Sequence, residues 1–364
     1  MNKKVDNFFL GTIIALVVIG FFVFISASLG VLAKNESEFY AILFNQLVLG
    51  FGIGLVGMFF TSRINYKFWR KYSFYIFLGS IILTLLVFVP KLGFSHGGAR
   101  RWIGIGPISF QPAEFLKFGF IIYFASWLSW ARAKVQSFRF GILPLIILLA
   151  TIALILFKQP DTKSFILIMV AGVSMLFLSG VPWKYIFGFI GLAILGLGAL
   201  IFFKPYLLDR VQTFVEPNRD PQGSSYQLQQ SLIAIGSGGI TGRGFGQSIQ
   251  KFSYLPEPQG DSIFAVIGEE FGFIGSTLVI LLYIVFALRG LRIANRSPDL
   301  FSRLLTTGIV ILITTQAFLN IASITGVFPL TGVPLPFISH GGTSLAIALI
   351  AVGIVLNISK YQKV

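Results

Sequence analysis

Ten stretches of this 364-residue chain are mostly apolar over about 18–27 consecutive residues, enough for a helix to cross a bilayer. Lipid offers the backbone no hydrogen-bond partner, so such stretches fold as helices. The chain is 55% hydrophobic and only 11% charged, whereas soluble domains are about 25% charged. The sequence therefore predicts an all-α integral membrane protein with ten transmembrane helices, at 8–29, 40–60, 72–89, 113–130, 140–157, 163–180, 184–203, 262–288, 304–325 and 341–358.

The charges predict how these helices are oriented. The chain has 28 Lys and Arg but 13 Asp and Glu. With the N-terminus inside, 16 basic residues fall on that side, 11 fall on the other side, and Lys117 lies within a helix. The positive-inside rule then predicts that both termini are cytoplasmic and that the long 204–261 loop is outside, all within one polytopic domain. A net charge of +15 on so apolar a chain favours anionic lipid, not nucleic acid, as its counterpart.

Several kinds of chemistry are excluded by residue type. The chain has no cysteine, so disulfides, thiol catalysis and thiolate metal sites are absent. Its two histidines, His96 and His340, are far apart and form no zinc-binding pattern. We expect no metal site and no cofactor, and leave a divalent-cation requirement open. The glycine-rich stretch 236–246, which follows a predicted helix at 226–235, lacks the Lys of a P-loop.

Asp261 is the most informative acid of the chain. It ends the long loop and stands directly before an apolar helix, where a carboxylate costs free energy. One interpretation is a general base in a partly desolvated cavity. The other is a helix N-cap, a position that Asp favours.

Other ionisable residues near helix ends also have two interpretations each. Glu114 and Lys117 share one helix face and either neutralise each other or leave Lys117 to hold Asp261 ionised across a cavity. Arg100, Arg101 and Trp102 are either interfacial anchors or a clamp for pyrophosphate. Asp161 is a helix cap or a polar pocket group. At least one of Glu269 and Glu270 is expected to have a structural partner inside the bundle.

The segment 329–344 enters the last helix from outside. Its three prolines exclude regular helix over 329–336. Irregular backbone at membrane depth is tolerated where it is buried in protein or lines a cavity. Hydroxyl groups and backbone amides here could bind a polar ligand, and the candidate residues are Ser339, His340, Gly341, Gly342, Thr343 and Ser344.

Six motifs in this order resemble the SEDS family, the FtsW/RodA group of bacterial peptidoglycan glycosyltransferases. The similarity covers nearly the whole chain and includes Gln111 within the run 110–117. Residues 244–248, 250–251 and 265–270 are more similar to the division-type FtsW branch than to the elongation-type branch. The motifs lie at 98–104, 110–117, 159–161, 226–251, 254–272 and 331–344.

The resemblance implies a multi-pass protein of the bacterial cytoplasmic membrane that polymerises lipid II on the outer face and releases undecaprenyl pyrophosphate. Asp261 matches the essential acid of the family, Lys117 its salt-bridge partner and Trp102 a functionally sensitive tryptophan. The implied partner is a class B penicillin-binding protein, a transpeptidase. Alternatives are a lipid II flippase and a non-catalytic scaffold for such a transpeptidase.

Three positions differ from the family pattern. Gln259-Gly260 replace a His-Thr or His-Asn pair before the acid, and His340 replaces a tyrosine. Thr162-Lys163 replace Leu-Gly after Gln159-Pro160-Asp161. The sequence thus indicates a divergent member that retains the acid.

Overall fold

Helices account for most of the structure, a computed structural model that describes residues 4–90, 92–96, 99–105, 108–216, 220, 223 and 225–362. Each predicted apolar run coincides with helix. The helices are α1 (Asn7–Leu32), α2 (Glu36–Phe44), α3 (Gly54–Arg63), α4 (Lys67–Lys71), α5 (Ser73–Leu85), α6 (Pro112–Trp130), α7 (Ile142–Leu156), α8 (Thr162–Ser179), α9 (Trp183–Phe203), α10 (Pro205–Val215), α11 (Tyr226–Ser237), α12 (Gln250–Ser253), α13 (Ile263–Asn295), α14 (Leu300–Ile324) and α15 (Gly342–Ser359).

Within the described ranges, seven helical segments are long and apolar enough to cross a membrane. Two further apolar helices are shorter, at Ser73–Phe88 and Ile142–Leu156. The protein is therefore a multi-pass helical membrane protein, as predicted. The seven segments are Asn7–Leu32, Glu36–Arg63, Thr162–Ser179, Trp183–Phe202, Ile263–Asn295, Leu300–Ile324 and Gly342–Ser359.

Two of the long helices are irregular. A π-helical segment, Asn45–Ile53, joins α2 to α3, and it carries the buried side chain of Gln46. In α13, Gly272 has φ 62° and ψ −159°, which breaks the helix. π-Helical turns are frequent at functional sites, and a break in a membrane helix leaves backbone groups that need other hydrogen-bond partners.

The core of the bundle is built around α14 and α15, whose side chains are mostly buried. Helix α15 packs on α3 and on the π-helical segment, while α14 packs on α6, α8 and α13. Glycines allow the closest approaches. A Cβ on Gly20 of α1, for example, would lie 2.2 Å from the Phe337 carbonyl oxygen. The segment between α14 and α15 is thus held against α1, and it lacks regular helix as its prolines predict.

A three-stranded antiparallel sheet, which the sequence analysis did not anticipate, lies between α5 and α6. Its strands are β1 (Gly93–His96), β2 (Ala99–Ile105) and β3 (Ile108–Phe110). Adjacent side chains on a strand point to opposite faces, so β2 directs Arg100 and Arg101 to different surroundings. Gly98, which begins the 98–104 motif, lies outside the described residues.

The loop between α9 and α13 is partly helical. It contains α10, α11 and α12, and α11 confirms the helix predicted at 226–235. Its residues 217–219, 221, 222 and 224 lie outside the described part. The glycine-rich stretch joins the break in α13, where the amides of Arg243 and Gly244 donate to the carbonyls of Glu269 and Glu270 at 3.0 Å each. The loop therefore satisfies backbone groups that the helix break leaves open.

Candidate active site

Asp261 lies at the end of the long loop, one residue before the N-cap of α13. The N-cap is Ser262, so the interpretation of Asp261 as the cap is wrong. The carboxylate is partly exposed, and no described residue donates a hydrogen bond to it. The backbone is fixed by Asn320 of α14, whose Nδ2 donates to the Asp261 carbonyl at 2.7 Å. Because its backbone is fixed and its carboxylate has no donor among the described residues, Asp261 can accept a hydrogen bond or a proton from a ligand.

The carboxylate borders a cavity of about 610 Å³. One part of the wall is polar, and another part is apolar and is formed by α8, α9 and α10. The lining residues are Ala99, Arg101, Pro160, Thr162, Lys163, Ile166, Leu197, Ile201, Tyr206, Leu207, Arg210, Val211, Asp261, Phe328, Pro329, Leu330, Thr331 and Gly332.

Two cations, Arg210 and Lys163, lie close to Gly332 together with the Asp261 carboxylate. A Cβ placed on Gly332 would lie 3.1 Å from Oδ2 of Asp261, 3.6 Å from Nη2 of Arg210 and 3.8 Å from Nζ of Lys163. Arg210 donates to the Thr331 carbonyl at 2.9 Å, and Lys163 donates to the Gly332 carbonyl. Both cations are thus anchored to the backbone of one loop, with the carboxylate beside them.

The pKa of Arg210 responds to the charges around it. Shielding of the guanidinium from water lowers the pKa of Arg210, the Asp261 carboxylate opposes that decrease, and Arg101 adds to it. The Arg210 side chain as a whole is exposed, and guanidinium stays charged in proteins. Arg101, Lys163 and Arg210 therefore present three positive charges to the cavity, with one carboxylate among them.

We call residues 331–341 the floor loop; its first two residues, Thr331 and Gly332, line the cavity, and hydrogen bonds hold the rest. Asn320 Nδ2 also donates to the Val333 carbonyl at 2.7 Å, and Gln316 Nε2 donates to the Pro334 carbonyl at 3.1 Å. The Ser339 hydroxyl donates to the Gly260 carbonyl at 2.7 Å. Side chains of α14 and the Ser339 hydroxyl thus fix the positions of Gly260, Asp261 and the floor loop relative to one another.

Lys117 is buried away from Asp261. Its Nζ lies 2.8 Å from Glu114 Oε2 and donates to Gln316 Oε1 at 3.0 Å. Within the described part of the chain, Asp261 forms no ion pair with Lys117 or with any other cation. The structure therefore has the self-neutralising pair, and it links Lys117 to the site only through Gln316, which holds the floor loop.

The two arginines of β2 have different partners. Arg101 lines the cavity and donates to the carbonyls of Gln159, at 2.9 Å, and Pro160. Arg100 instead donates to the carbonyls of Gly93, at 3.1 Å, and Val89, at 2.9 Å, which ties the sheet to the end of α5. Trp102 is half-buried opposite Phe94 of β1 and does not line the cavity. Of Arg100, Arg101 and Trp102, Arg101 is the one whose side chain is positioned to contact a ligand in the cavity.

Asp161 and Gln111 are hydrogen-bonded to each other beside the cavity and do not line it. Asp161 is fully buried and caps α8, with Ser164 Oγ donating to its Oδ2 at 2.8 Å. Gln111 Nε2 donates to the same oxygen at 3.2 Å. The structure therefore favours the capping interpretation, and this cap fixes the start of α8, from which Lys163 extends into the cavity.

Residues 340–344, around the start of α15, lie beside the cavity without lining it. The amide of His340 donates to the Gln259 carbonyl at 2.7 Å, and its ring stacks on Phe24. The amide of Gly341 donates to Gln46 Oε1 at 3.0 Å. Thr343 Oγ1 accepts from the amide of Gln111 at 3.3 Å. Gly342 packs against the backbone of the π-helical segment, and Ser344 is half-buried in the next turn.

Glu269 and Glu270 both have the structural partners that the sequence led us to expect. Glu270 pairs with Lys251 at 2.6 Å and accepts from Ser26 of α1 at 2.7 Å, with both charges fully buried. Glu269 accepts from Ser248 Oγ at 2.5 Å and from the amide of Ile249 at 3.0 Å. The two acids thus fasten the end of the long loop to α13 and α1.

Sequence reasoning missed Lys163, Arg210 and Gly332 as site residues. Lys163 was visible only as a departure from the family pattern after Asp161. Arg210 lies on α10, in a part of the 204–261 loop for which the sequence analysis predicts no helix, although the amphipathic pattern of residues 205–215 indicates one.

The chain is similar to proteins of bacterial wall synthesis. The family described as "Cell cycle protein", with the name FtsW/RodA/SpoVE, matches residues 6–364. Stage V sporulation protein E of Bacillus subtilis is 41% identical over 330 residues, which is 90% of this chain and 89% of that protein. A probable peptidoglycan glycosyltransferase FtsW of Geobacter sulfurreducens is 38% identical over 364 residues, which is 99% of this chain and 96% of that protein.

Solved structures give the same result. A chain from a structure described as the coordination of polymerization and crosslinking by a peptidoglycan synthase complex superposes with a TM-score of 0.80 at 27% identity, covering 99% of both chains. The rod shape determining protein RodA of Thermus thermophilus superposes with a TM-score of 0.71 at 25% identity, covering 99% of this chain and 98% of that one. The chain described here belongs to the FtsW/RodA/SpoVE family.

Proposed function

We propose that this chain is a division-type peptidoglycan glycosyltransferase that polymerises lipid II at the outer face of the cytoplasmic membrane. One observation carries the proposal: the Asp261 carboxylate, without a hydrogen-bond donor among the described residues, lies beside Lys163 and Arg210 at the edge of a cavity that has one apolar wall. Relatives that bear the name peptidoglycan glycosyltransferase FtsW support the same activity.

Asp261 is the general base of the proposed reaction. A carboxylate at neutral pH accepts the proton of the acceptor 4-hydroxyl. The oxygen attacks the anomeric carbon of the donor as the bond from that carbon to the pyrophosphate oxygen breaks. The products are a glycan longer by one disaccharide, undecaprenyl pyrophosphate as the leaving group, and protonated Asp261, which returns its proton to water.

Arg101, Lys163 and Arg210 receive the leaving group. Negative charge develops on the pyrophosphate oxygens as the glycosidic bond breaks, and cations already in place stabilise that charge without reorganisation. Guanidinium forks match phosphate oxygens, and an ammonium adds a point charge. Three cations against one carboxylate leave the cavity positive overall, which favours a dianionic group beside the base.

The apolar wall accommodates the polyprenyl chain. Ile166, Leu197 and Ile201 line the reactive cavity, and Leu197 also lines a neighbouring apolar cavity of about 330 Å³ between α7, α8 and α9. A hydrocarbon tail gains about 0.8 kcal/mol for each methylene that it buries. The two adjoining cavities offer a route from the pyrophosphate position to lipid.

Topology and partner belong to the same proposal. Ten membrane spans with both termini in the cytoplasm would put the 204–261 loop, and with it Asp261, outside. The similarity to a chain of a peptidoglycan synthase complex supports a class B penicillin-binding protein as the partner. Such a transpeptidase would crosslink the strands that this chain polymerises.

Polymerisation of labelled lipid II by Asp261→Asn in proteoliposomes, with the cognate transpeptidase, tests the proposal. Asparagine keeps the size of the side chain but cannot accept the proton, so glycan synthesis is expected to fall by roughly a hundredfold or more. Asp209→Asn is the matched control. Asp209 is exposed on α10 and does not line the cavity, so its variant is expected to retain activity within about twofold.

Two results would contradict the mechanism. Full polymerisation by Asp261→Asn would exclude a base at this position. Equal loss in both variants would show a general effect of external charge. Transbilayer movement of lipid II by wild-type protein without polymerisation would favour a flippase.

A further inference from the structure

A second cavity, with basic and aromatic walls, lies at the opposite end of α6 from the reactive site. Its volume is about 500 Å³, and it is lined by α4, through Lys67, Arg70 and Lys71, and by α6, through Tyr123, Trp127 and Trp130. Helix α6 begins beside Asp161 and rises about 1.5 Å per residue, so Tyr123 to Trp130 lie roughly 17–27 Å along it. None of the roles proposed above uses this cavity.

The three cations of α4 are available to a ligand. Spacings of three and four residues put Lys67, Arg70 and Lys71 on one helix face. All three side chains are exposed. In the described part of the chain no acid pairs with any of them, although Lys71 also lies over the Tyr72 ring at 5.3 Å. Three unpaired cations over one concave surface attract a phosphate group.

An apolar groove continues from this basic cavity. Tyr123 and Trp127 also line a neighbouring cavity of about 370 Å³, whose further walls include Leu143, Ile147 and Leu148 of α7. Trp127 is fixed between the two cavities, because its Nε1 donates to the Phe140 carbonyl at 3.2 Å. Trp130 is 66% exposed, as expected for an aromatic side chain at the level of lipid headgroups.

We propose that these two cavities form a binding site for one anionic phospholipid, in the leaflet opposite to the one that faces Asp261. The phosphate diester would lie against Lys67, Arg70 and Lys71, and an acyl chain would follow Leu143, Ile147 and Leu148. Charge complementarity selects the headgroup, and the adjoining apolar groove selects a lipid over a soluble anion. Trp127, with its indole between the two parts, separates headgroup from tail.

Native mass spectrometry of protein released from nanodiscs of mixed phosphatidylglycerol and phosphatidylcholine tests the site. The variant Lys67→Gln/Arg70→Gln/Lys71→Gln is expected to retain phosphatidylglycerol roughly a hundredfold less than wild type, since each of the three basic residues near a membrane surface adds about 1 kcal/mol and 1.4 kcal/mol is a factor of ten. The matched control is Lys4→Gln/Lys184→Gln/Arg296→Gln, which removes the same charge from exposed positions outside both cavities. The control is expected to retain the lipid as wild type does.

Thermal unfolding in detergent supplies the second measurement. Added phosphatidylglycerol is expected to raise the Tm of wild type and of the control, but not that of the α4 variant, and phosphatidylcholine is expected to have no effect. Equal loss of lipid from both triple variants would overturn the proposal in favour of general surface attraction. A Tm increase with inorganic phosphate equal to that with phosphatidylglycerol would overturn the lipid in favour of a free anion.

Discussion

Gly332 sets the distance between Asp261 and its cations. Its φ of 64° lies in the left-handed region, and the space where a Cβ would stand is shared by Asp261, Arg210 and Lys163. The absence of a side chain thus has two consequences here: the loop can turn, and the carboxylate can approach the cations. The site therefore requires a residue without a Cβ at the position of Gly332.

Gly332→Ala is expected to lower polymerisation while the protein remains folded. The new methyl group would lie 3.1 Å from Oδ2 of Asp261, close enough to shift the carboxylate by a few tenths of an ångström. Gly326→Ala is the matched control, because Gly326 has φ 73° and its nearest neighbour is Leu228, at 3.7 Å. Both variants are expected to lose about 1–2 kcal/mol of stability, but only Gly332→Ala should lower lipid II polymerisation. Equal activity in the two variants would contradict a role for this distance.

The Lys117–Glu114 pair is expected to act by holding the floor of the site. Lys117→Met leaves Glu114 buried and unpaired, which costs about 3–5 kcal/mol. Lys117→Met/Glu114→Gln removes both charges and is expected to recover most of that stability in thermal unfolding. Lipid II polymerisation should nevertheless stay low in the double variant, because methionine cannot donate to Gln316 Oε1 and the loop that Gln316 holds loses this support. A stable double variant with full activity would instead show that Lys117 serves only to neutralise Glu114.

At the scale of elements, the broken α13 and the glycine-rich stretch depend on each other. The amides of Phe273 and Ile274 donate to the carbonyls of Gly239 and Ile240, at 2.9 and 3.1 Å. Gly272 turns the chain between two helical parts with a backbone conformation that is essentially restricted to glycine. The loop that ends at Asp261 is thereby fastened to the bundle on the side away from the cavity.

Gly272→Ala is expected to destabilise the protein by about 3 kcal/mol or more. A Cβ there would lie 2.4 Å from the Gly242 amide nitrogen and 2.6 Å from the Ile240 carbonyl oxygen. Gly188→Ala in α9 is the comparison, since its Cβ would meet no atom within 4 Å. Thermal unfolding in detergent should show a large decrease in Tm for Gly272→Ala and none for Gly188→Ala. Similar Tm values would mean that the break can relax.

Some elements could be predicted from sequence and some could not. The ten apolar runs coincide with helices because the length of an apolar run is visible in the local sequence, and such a run in lipid satisfies its backbone hydrogen bonds as a helix. The sheet β1–β3 was missed because its two longer strands, of 4 and 7 residues, do not alternate apolar and polar side chains, and the third is only 3 residues long. The π-helical segment was missed because its residues are as apolar as those of α3, and nothing in that composition marks the extra residue per turn.

At the scale of the whole molecule, the distribution of charge predicts which end of the bundle is outside. The basic cavity of α4 and the reactive cavity occupy opposite ends of α6, so the two proposed ligands would reach the protein from different leaflets. Two residues are suitable labelling positions for the two ends of the bundle: Tyr254, in the loop before Asp261, and Lys184, at the start of α9. Both side chains are exposed.

The absence of native cysteine makes the orientation directly testable. Tyr254→Cys is expected to react with a membrane-impermeant maleimide in intact spheroplasts. Lys184→Cys should react only after the membrane is permeabilised, because the positive-inside rule places it in the cytoplasm. The cysteine-free wild type is the control for background labelling. The reverse pattern would overturn the orientation, and with it the extracytoplasmic site.

The sequence by itself determined the membrane class and the family, and it predicted Asp261 as the catalytic residue. Apolar runs and the ordered motifs around Asp261 are readable without coordinates, and the comparisons confirm the family and the glycosyltransferase assignment. Only the tertiary structure decided which cations meet Asp261. Arg101, Lys163 and Arg210 come from a strand, a helix and a loop helix, and their convergence depends on how these elements pack. It also decided the partner of Lys117, because a carboxylate one helical turn away is closer than one across the bundle.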